Sequence, residues 1–251
     1  MGRKSMESTK IIGRDVAIRA KDGGMFSAYM TWPVTDIPSP AVIVIQEIFG
    51  VNENMRNICE NISRMGYIGI CPDLFWRQKP GVDLTDQTDA EWQQAFELYK
   101  GFNIDKGIED LISTLEYLRK QPDCSGKVGS VGYCLGGKLA FLMAARSEID
   151  CSVSYYGVDI ESHLGEAGGI KKSLLMHIAE KDSYVPPAAQ KNITSTLKKH
   201  PHVTFFVYEG VDHAFARIKG KNFNSEAAAL ANYRTADFLA THLTEPDSQT
   251  R

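Results

Sequence analysis

The stretch Lys127-Val128-Gly129-Ser130-Val131-Gly132-Tyr133-Cys134-Leu135-Gly136-Gly137 decides the fold. Lys127 to Val131 reads as a buried strand and Gly136 to Ala145 as an apolar helix, so the chain turns sharply around Cys134. The flanking glycines suit a strained turn in which backbones approach closely. A cysteine at its apex stands at a helix N-terminus, where the dipole and free N–H groups favour a thiolate. The Leu135 amide would point toward a developing oxyanion. Cys59, Cys71, Cys124 and Cys151 lack this pattern and read as ordinary small, mostly buried residues.

Outward from the turn, strands and helices alternate. Asp15 to Ala20 and Phe26 to Trp32 form an N-terminal antiparallel hairpin about Asp22-Gly23-Gly24. The run Ala41-Val42-Ile43-Val44-Ile45 suits a central strand covered on both faces. Asn54 to Met65 has helical spacing, Gly66 ends it, and Tyr67 to Cys71 is the next strand. Pro72 to Thr88 reads as a loop, Thr88-Asp89-Ala90-Glu91 opens a helix with capping-box form, and Ile104 to Leu118 is another helix. Further strands fall at Cys151 to Tyr155, Leu174 to Ala179 and Val203 to Tyr208, and further helices at Ala188 to Lys199 and about Glu226 to Leu243. The alternation predicts an α/β fold: a mostly parallel sheet with helices on both faces, one domain over 11–245, and a flexible extension over 1–10. Chemistry is expected at the carboxyl ends of the strands.

The 251 residues are 43% hydrophobic and 24% charged, which suffices for a full core and excludes a mainly disordered chain. A net charge of −3 gives no reason to expect nucleic acid or an anionic membrane as partner. Five cysteines without a CxxC, and a polar N-terminus without an apolar stretch, predict a cytoplasmic protein without a disulfide framework. No HExxH, Cys/His cluster or phosphate-binding glycine loop is present, so no metal or cofactor is expected. A monomer or small homo-oligomer is expected.

Gly132-Tyr133-Cys134-Leu135-Gly136-Gly137 has the form of the nucleophile elbow of α/β-hydrolases, with Cys where most carry Ser. That fold predicts an acid and then a histidine, each after a later strand. The strand ending at Ala179 is followed by Glu180-Lys181-Asp182, and the one ending at Tyr208 by Glu209-Gly210-Val211-Asp212-His213. The proposed triad is Cys134, Asp182 and His213, with Glu180 and Asp212 as competing acids. His177 lies inside a strand and reads as core; His163, His200, His202 and His242 read as solvated.

With these residues placed, the chain resembles the dienelactone hydrolase (carboxymethylenebutenolidase) family from about Val16 to Leu243. The resemblance is carried by Gln46-Glu47-Ile48-Phe49-Gly50, Cys71-Pro72-Asp73-Leu74-Phe75, Arg77-Gln78 with Pro80-Gly81, the elbow, Tyr155-Tyr156-Gly157 and His213-Ala214-Phe215-Ala216-Arg217. It implies hydrolysis of the ring ester of dienelactones to maleylacetate without metal or organic cofactor. It also implies that Glu47 pairs with the resting Cys134 thiol and takes its proton when substrate binds, and that Arg77 and Arg217 clamp a substrate carboxylate. Ile48 would join Leu135 as the second oxyanion amide, and Tyr155, Phe49 and Trp76 would wall the pocket. The charged segment from Val82 to Gln94 is expected over the site. The alternative activity is that of a related carboxylesterase, thioesterase or lactonase of a different small substrate. A thiol redox sensor would need a resolving cysteine, which the sequence does not place, and the intact triad argues against a non-catalytic scaffold.

Overall fold

A computed structural model describes residues 10–244. Residues 1–9 of the expected extension, and residue 245 of the expected domain, lie outside the described residues. The hairpin pairs β1 (Ile11–Arg19) with β2 (Met25–Pro33), Val16 opposite Ala28, and Gly23 adopts φ +92° at its tip. Six further strands follow: β3 (Ser39–Ile45), β4 (Ile68–Pro72), β5 (Cys124–Tyr133), β6 (Cys151–Tyr155), β7 (Ser173–Ala179) and β8 (Val203–Tyr208). They join one eight-stranded sheet in the order β1-β2-β4-β3-β5-β6-β7-β8. The β1–β2 and β2–β4 pairings are antiparallel; all others are parallel.

The helices are α1 (Glu53–Arg64), α2 (Asp89–Lys100), α3 (Ile104–Arg119), α4 (Leu135–Arg146), α5 (Pro187–Leu197) and α6 (Ser225–Leu243). Helices α4 and α6 both pack on β5 and β6, while α1, α3 and α4 pack on β3. Covered in this way, Ala41 to Ile45 carries no polar side chain, and all five residues are fully buried. Each buried Val or Ile there contributes about 1.5–3 kcal/mol relative to exposure. Asn52, Asn103 and Asn224 cap α1, α3 and α6 by accepting from the N–H three residues on. At α2, Thr88 accepts from the Glu91 amide, while the Glu91 carboxylate accepts from the Thr88 hydroxyl and from the Thr85 amide and hydroxyl. The capping box is thereby extended back into the loop.

Two differences from the sequence reading matter for the site. Strand β5 begins at Cys124 and runs through Tyr133, so it delivers the chain directly to Cys134. Between β6 and β7 a 3-10 helix, Glu161–Gly169, was not anticipated; its N-terminal end reaches the cavity described below.

Candidate active site

Cys134 is the only residue between β5 and α4, and it turns the chain at φ 57°, ψ −114°. This conformation costs a non-glycine residue on the order of 1–3 kcal/mol and persists because its surroundings fix it. The Cys134 amide donates to the Tyr155 carbonyl at the end of β6 (3.1 Å), and its carbonyl accepts from the Gly137 and Lys138 amides (2.9 and 3.2 Å). A Cβ on Gly132 would lie 1.9 Å from the Gly136 carbonyl oxygen, and one on Gly136 2.2 Å from that of Ile45. The glycines therefore let strand, turn and helix interpenetrate. As the first residue of α4, Leu135 presents one of the helix's unshared N–H groups beside the sulfur. Ile48, in the turn after β3, lines the same cavity as Cys134.

His213 follows β8 and lines that cavity as well. Its Nδ1 lies 3.0 Å from both carboxylate oxygens of Asp182, and both side chains are almost wholly buried. Asp182 Oδ1 also accepts from the Tyr184 and Val185 amides (2.9 and 3.2 Å), which fixes the carboxylate in the loop after β7. The competing acids are engaged elsewhere. Glu180 accepts from the Gly210 amide, and Asp212 from the Ser183 and His213 amides, so both brace the loops. Burial pushes the His213 pKa down, but the neighbouring Cys134 sulfur, and then Asp182, outweigh it and raise the pKa to about 10.

Glu47 is buried at the end of β3, and its partner differs from the expected thiol. Arg217 grips both carboxylate oxygens, Nε at 2.8 Å and a terminal nitrogen at 2.9 Å, while the other terminal nitrogen donates to Asp86 at 2.9 Å. A bidentate, charge-assisted pair in a buried setting is much stronger than a carboxylate–thiol contact. Arg217 lines the cavity; Glu47 stands behind it.

Three expected substrate-binding residues are not brought to the cavity. Arg77 pairs with Asp110 of α3 and with Asp22 of the hairpin (2.8 Å for the latter), its guanidinium 4.2 Å above the Trp76 ring. Trp76 stacks on Phe26 and donates to Asp110 at 2.9 Å. The loop after β4 thus folds back onto the hairpin rather than toward Cys134. Tyr155 is fully buried beneath the elbow, stacked on Tyr133 at 4.7 Å, its hydroxyl bonded to Thr235 and Asn232. Phe49 does line the cavity.

The cavity measures about 240 Å³. Its walls include residues the sequence reading passed over. Trp92, Phe96 and Tyr99 come from α2, Asp159 from the loop just before the 3-10 helix, Glu161 from the first position of that helix, and Tyr184 from the loop after Asp182. The aromatic spacing of i, i+4 and i+7 on α2 is a sequence signal that could have found the first three. Segment 82–94 does lie over the site: Asp86 reaches Arg217, and Trp92 meets Phe49 edge to face at 5.0 Å. Among the described residues no helix is long and apolar enough to cross a membrane.

Comparison with known proteins gives a consistent family. The family model described as "Dienelactone hydrolase family" matches residues 26–243. The chain is 40% identical over 225 residues to a carboxymethylenebutenolidase of Pseudomonas putida, covering 90% of this chain and 95% of that one. It is 48% identical over 239 residues to a protein of Azospirillum brasilense, covering 91% and 99%. A solved structure from Klebsiella pneumoniae superposes with a TM-score of 0.81 at 25% identity, covering 92% and 99%.

Proposed function

The chain belongs to the dienelactone hydrolase family and is a hydrolase acting on ester bonds, and from that premise we propose a thiolate mechanism at Cys134. The observation that carries the proposal is the shared cavity of Cys134 and His213, with His213 Nδ1 held 3.0 Å from the buried Asp182. With its pKa raised to about 10, His213 is an imidazolium at neutral pH and the counter-ion of a Cys134 thiolate. The thiolate attacks the ester carbonyl, and the Leu135 and Ile48 amides stabilise the resulting oxyanion. The tetrahedral intermediate collapses with cleavage of the acyl C–O bond. The leaving oxygen takes the His213 proton, directly or after departing as a conjugated enolate, so a thioester remains on Cys134 and the imidazole is left neutral.

Acylation then removes the sulfur's negative charge, the largest influence holding the His213 pKa up. With that charge gone, burial is opposed by Asp182 alone, and the neutral imidazole, the form needed for a general base, is less disfavoured. Neutral His213 takes a proton from water, the hydroxide adds to the thioester, and collapse releases the carboxylate and restores the ion pair. Because the relatives include carboxymethylenebutenolidases, the ring ester of dienelactone, opened to maleylacetate, is the reference substrate of this proposal. Hydrolysis of a different small ester or lactone is the second reading. One observation favours it: Arg77 is outside the cavity, and the Arg217 guanidinium is already shared by Glu47 and Asp86.

The test follows ultraviolet absorbance of cis- and trans-dienelactone beside a neutral aryl ester, with wild type and Cys134→Ala. Turnover should vanish in the variant for whichever substrate is used, with folding intact. Near-wild-type activity in Cys134→Ala would remove the nucleophile.

A further inference from the structure

A single guanidinium faces the cavity in front of Cys134. Among the described residues, Arg217 is the one lysine or arginine that lines it. A guanidinium has five N–H donors. Glu47 takes two of them in its bidentate pair, and Asp86 takes one at 2.9 Å. Two carboxylates thus share one buried cation, at the place where an anionic substrate would find its counter-ion.

The two carboxylates are not held alike. Glu47 is almost wholly buried at the end of β3 and engages Arg217 through both oxygens. Asp86 reaches Arg217 through one oxygen, from a loop whose neighbours Thr85 and Gln87 are exposed, and its other oxygen accepts from the Gln87 side-chain amide at 2.6 Å. Arg217 also lines two further cavities, of about 310 and 580 Å³. Asp86 lines both of these but not the cavity that holds Cys134. It therefore meets Arg217 from the far side, with open space to turn into. Its backbone is tied down: the Asp86 carbonyl accepts from the Trp92 indole at 3.0 Å, and the Glu91 carboxylate holds Thr85 and Thr88. The carboxylate can leave Arg217 by a change of side-chain rotamer, with the loop in place and Trp92 still in the cavity wall.

Resting on the Cys134 mechanism and the reference substrate above, we propose that Asp86 is a specificity-determining residue whose carboxylate competes with the substrate's carboxylate for Arg217. No bond is made or broken in the exchange. One carboxylate replaces another on the guanidinium, and the displaced one turns toward water. Asp86 thereby sets how tightly a carboxylated lactone binds, and a neutral analogue does not feel the competition.

The experiment compares dienelactone with its methyl ester, in which the same ring bond is opened but the substrate charge is gone. Ring opening is followed by ultraviolet absorbance on the full chain as wild type, Asp86→Asn, Asp86→Glu and Cys134→Ala. Asp86→Asn removes the competing charge at nearly constant shape, so KM for dienelactone should fall by about threefold or more relative to KM for the methyl ester. Asp86→Glu keeps the charge and should hold the KM ratio within about twofold of wild type. A residue that merely braced Arg217 would behave oppositely: Asp86→Asn would loosen the guanidinium and raise KM for dienelactone. That result, or an unchanged ratio, overturns the inference and leaves the mechanism standing. Cys134-dependent opening of the methyl ester alone overturns the reference substrate and the inference with it. Ring opening that survives in Cys134→Ala overturns the mechanism, and again the inference with it.

Discussion

At the scale of single residues, the site is governed by where each charge finds its partner. His213 is buried enough to be neutral, yet the Cys134 sulfur, and then Asp182, hold its pKa up at about 10. Replacing the sulfur in Cys134→Ala leaves burial opposed by Asp182 alone. The imidazole should then release its proton at least about one pH unit lower. Imidazole NMR shifts followed from pH 5 to 10.5 measure this: wild type stays protonated across neutral pH, whereas the variant becomes neutral earlier. An unchanged midpoint would remove the thiolate from the account. Arg77 makes the opposite case. Its contacts, Asp110 and Asp22, belong to the scaffold, and the Asp110 side chain is almost wholly buried. Arg77→Ala should therefore cost about 1–3 kcal/mol in urea unfolding, discounted for the partial exposure of the arginine. It should change kcat/KM on a neutral ester by less than about threefold; a larger kinetic than stability effect would put Arg77 back at the substrate.

At the scale of elements, the unit that matters is β5–Cys134–α4, and it was legible because its constraints are local. A strand pattern, three glycines and an apolar helix can only be joined by a tight turn, and the backbone contacts at Gly132 and Gly136 are the physical content of that spelling. Gly136→Ala should push the end of β3 away and destabilise the protein by at least about 1–3 kcal/mol. It should also slow Cys134 alkylation by iodoacetamide, because the helix N-terminus would no longer sit squarely behind the sulfur; an unchanged alkylation rate and unfolding midpoint would show that the turn tolerates a side chain. What was less legible depends on non-local folding. The direction taken by the loop after β4 is set by Asp110 and Asp22, far away in sequence, so Trp76 and Arg77 read as site residues although they brace the hairpin. Tyr155 lies on a strand buried on both faces, where alternation carries no sign of inside or outside. The 3-10 helix holding Glu161 is rich in glycine and has no apolar period to reveal it.

At the scale of the molecule, the floor beneath the elbow is tied together by one buried histidine. His177 on β7 bonds the Tyr208 hydroxyl of β8 at 2.8 Å and Thr235 of α6 at 2.9 Å, and Thr235 bonds the Tyr155 hydroxyl of β6 at 2.6 Å. The same strand ends feed the site: the His177 carbonyl accepts from Tyr156, and the Tyr155 carbonyl from Cys134. Burial, reinforced by the charge of Arg234, pushes the His177 pKa down to about 3, against about 6.5 in the unfolded chain. Between those values the unfolded chain holds a proton that the native one lacks, so stability falls as pH falls, by up to about 1.4 kcal/mol per pH unit. His213 has the opposite sign: its raised pKa favours the native state below about 6.5, and that contribution fades as pH rises toward 10. The difference between wild type and His177→Asn therefore isolates the β7 histidine. Urea unfolding from pH 5 to 7.5 should show a flatter acid limb in the variant, although its bonds to Tyr208 and Thr235 are lost and its stability at pH 7.5 is lower. Parallel limbs would mean that His177 protonates freely in the native state, and the three strand ends would need another tie to hold the floor beneath Cys134.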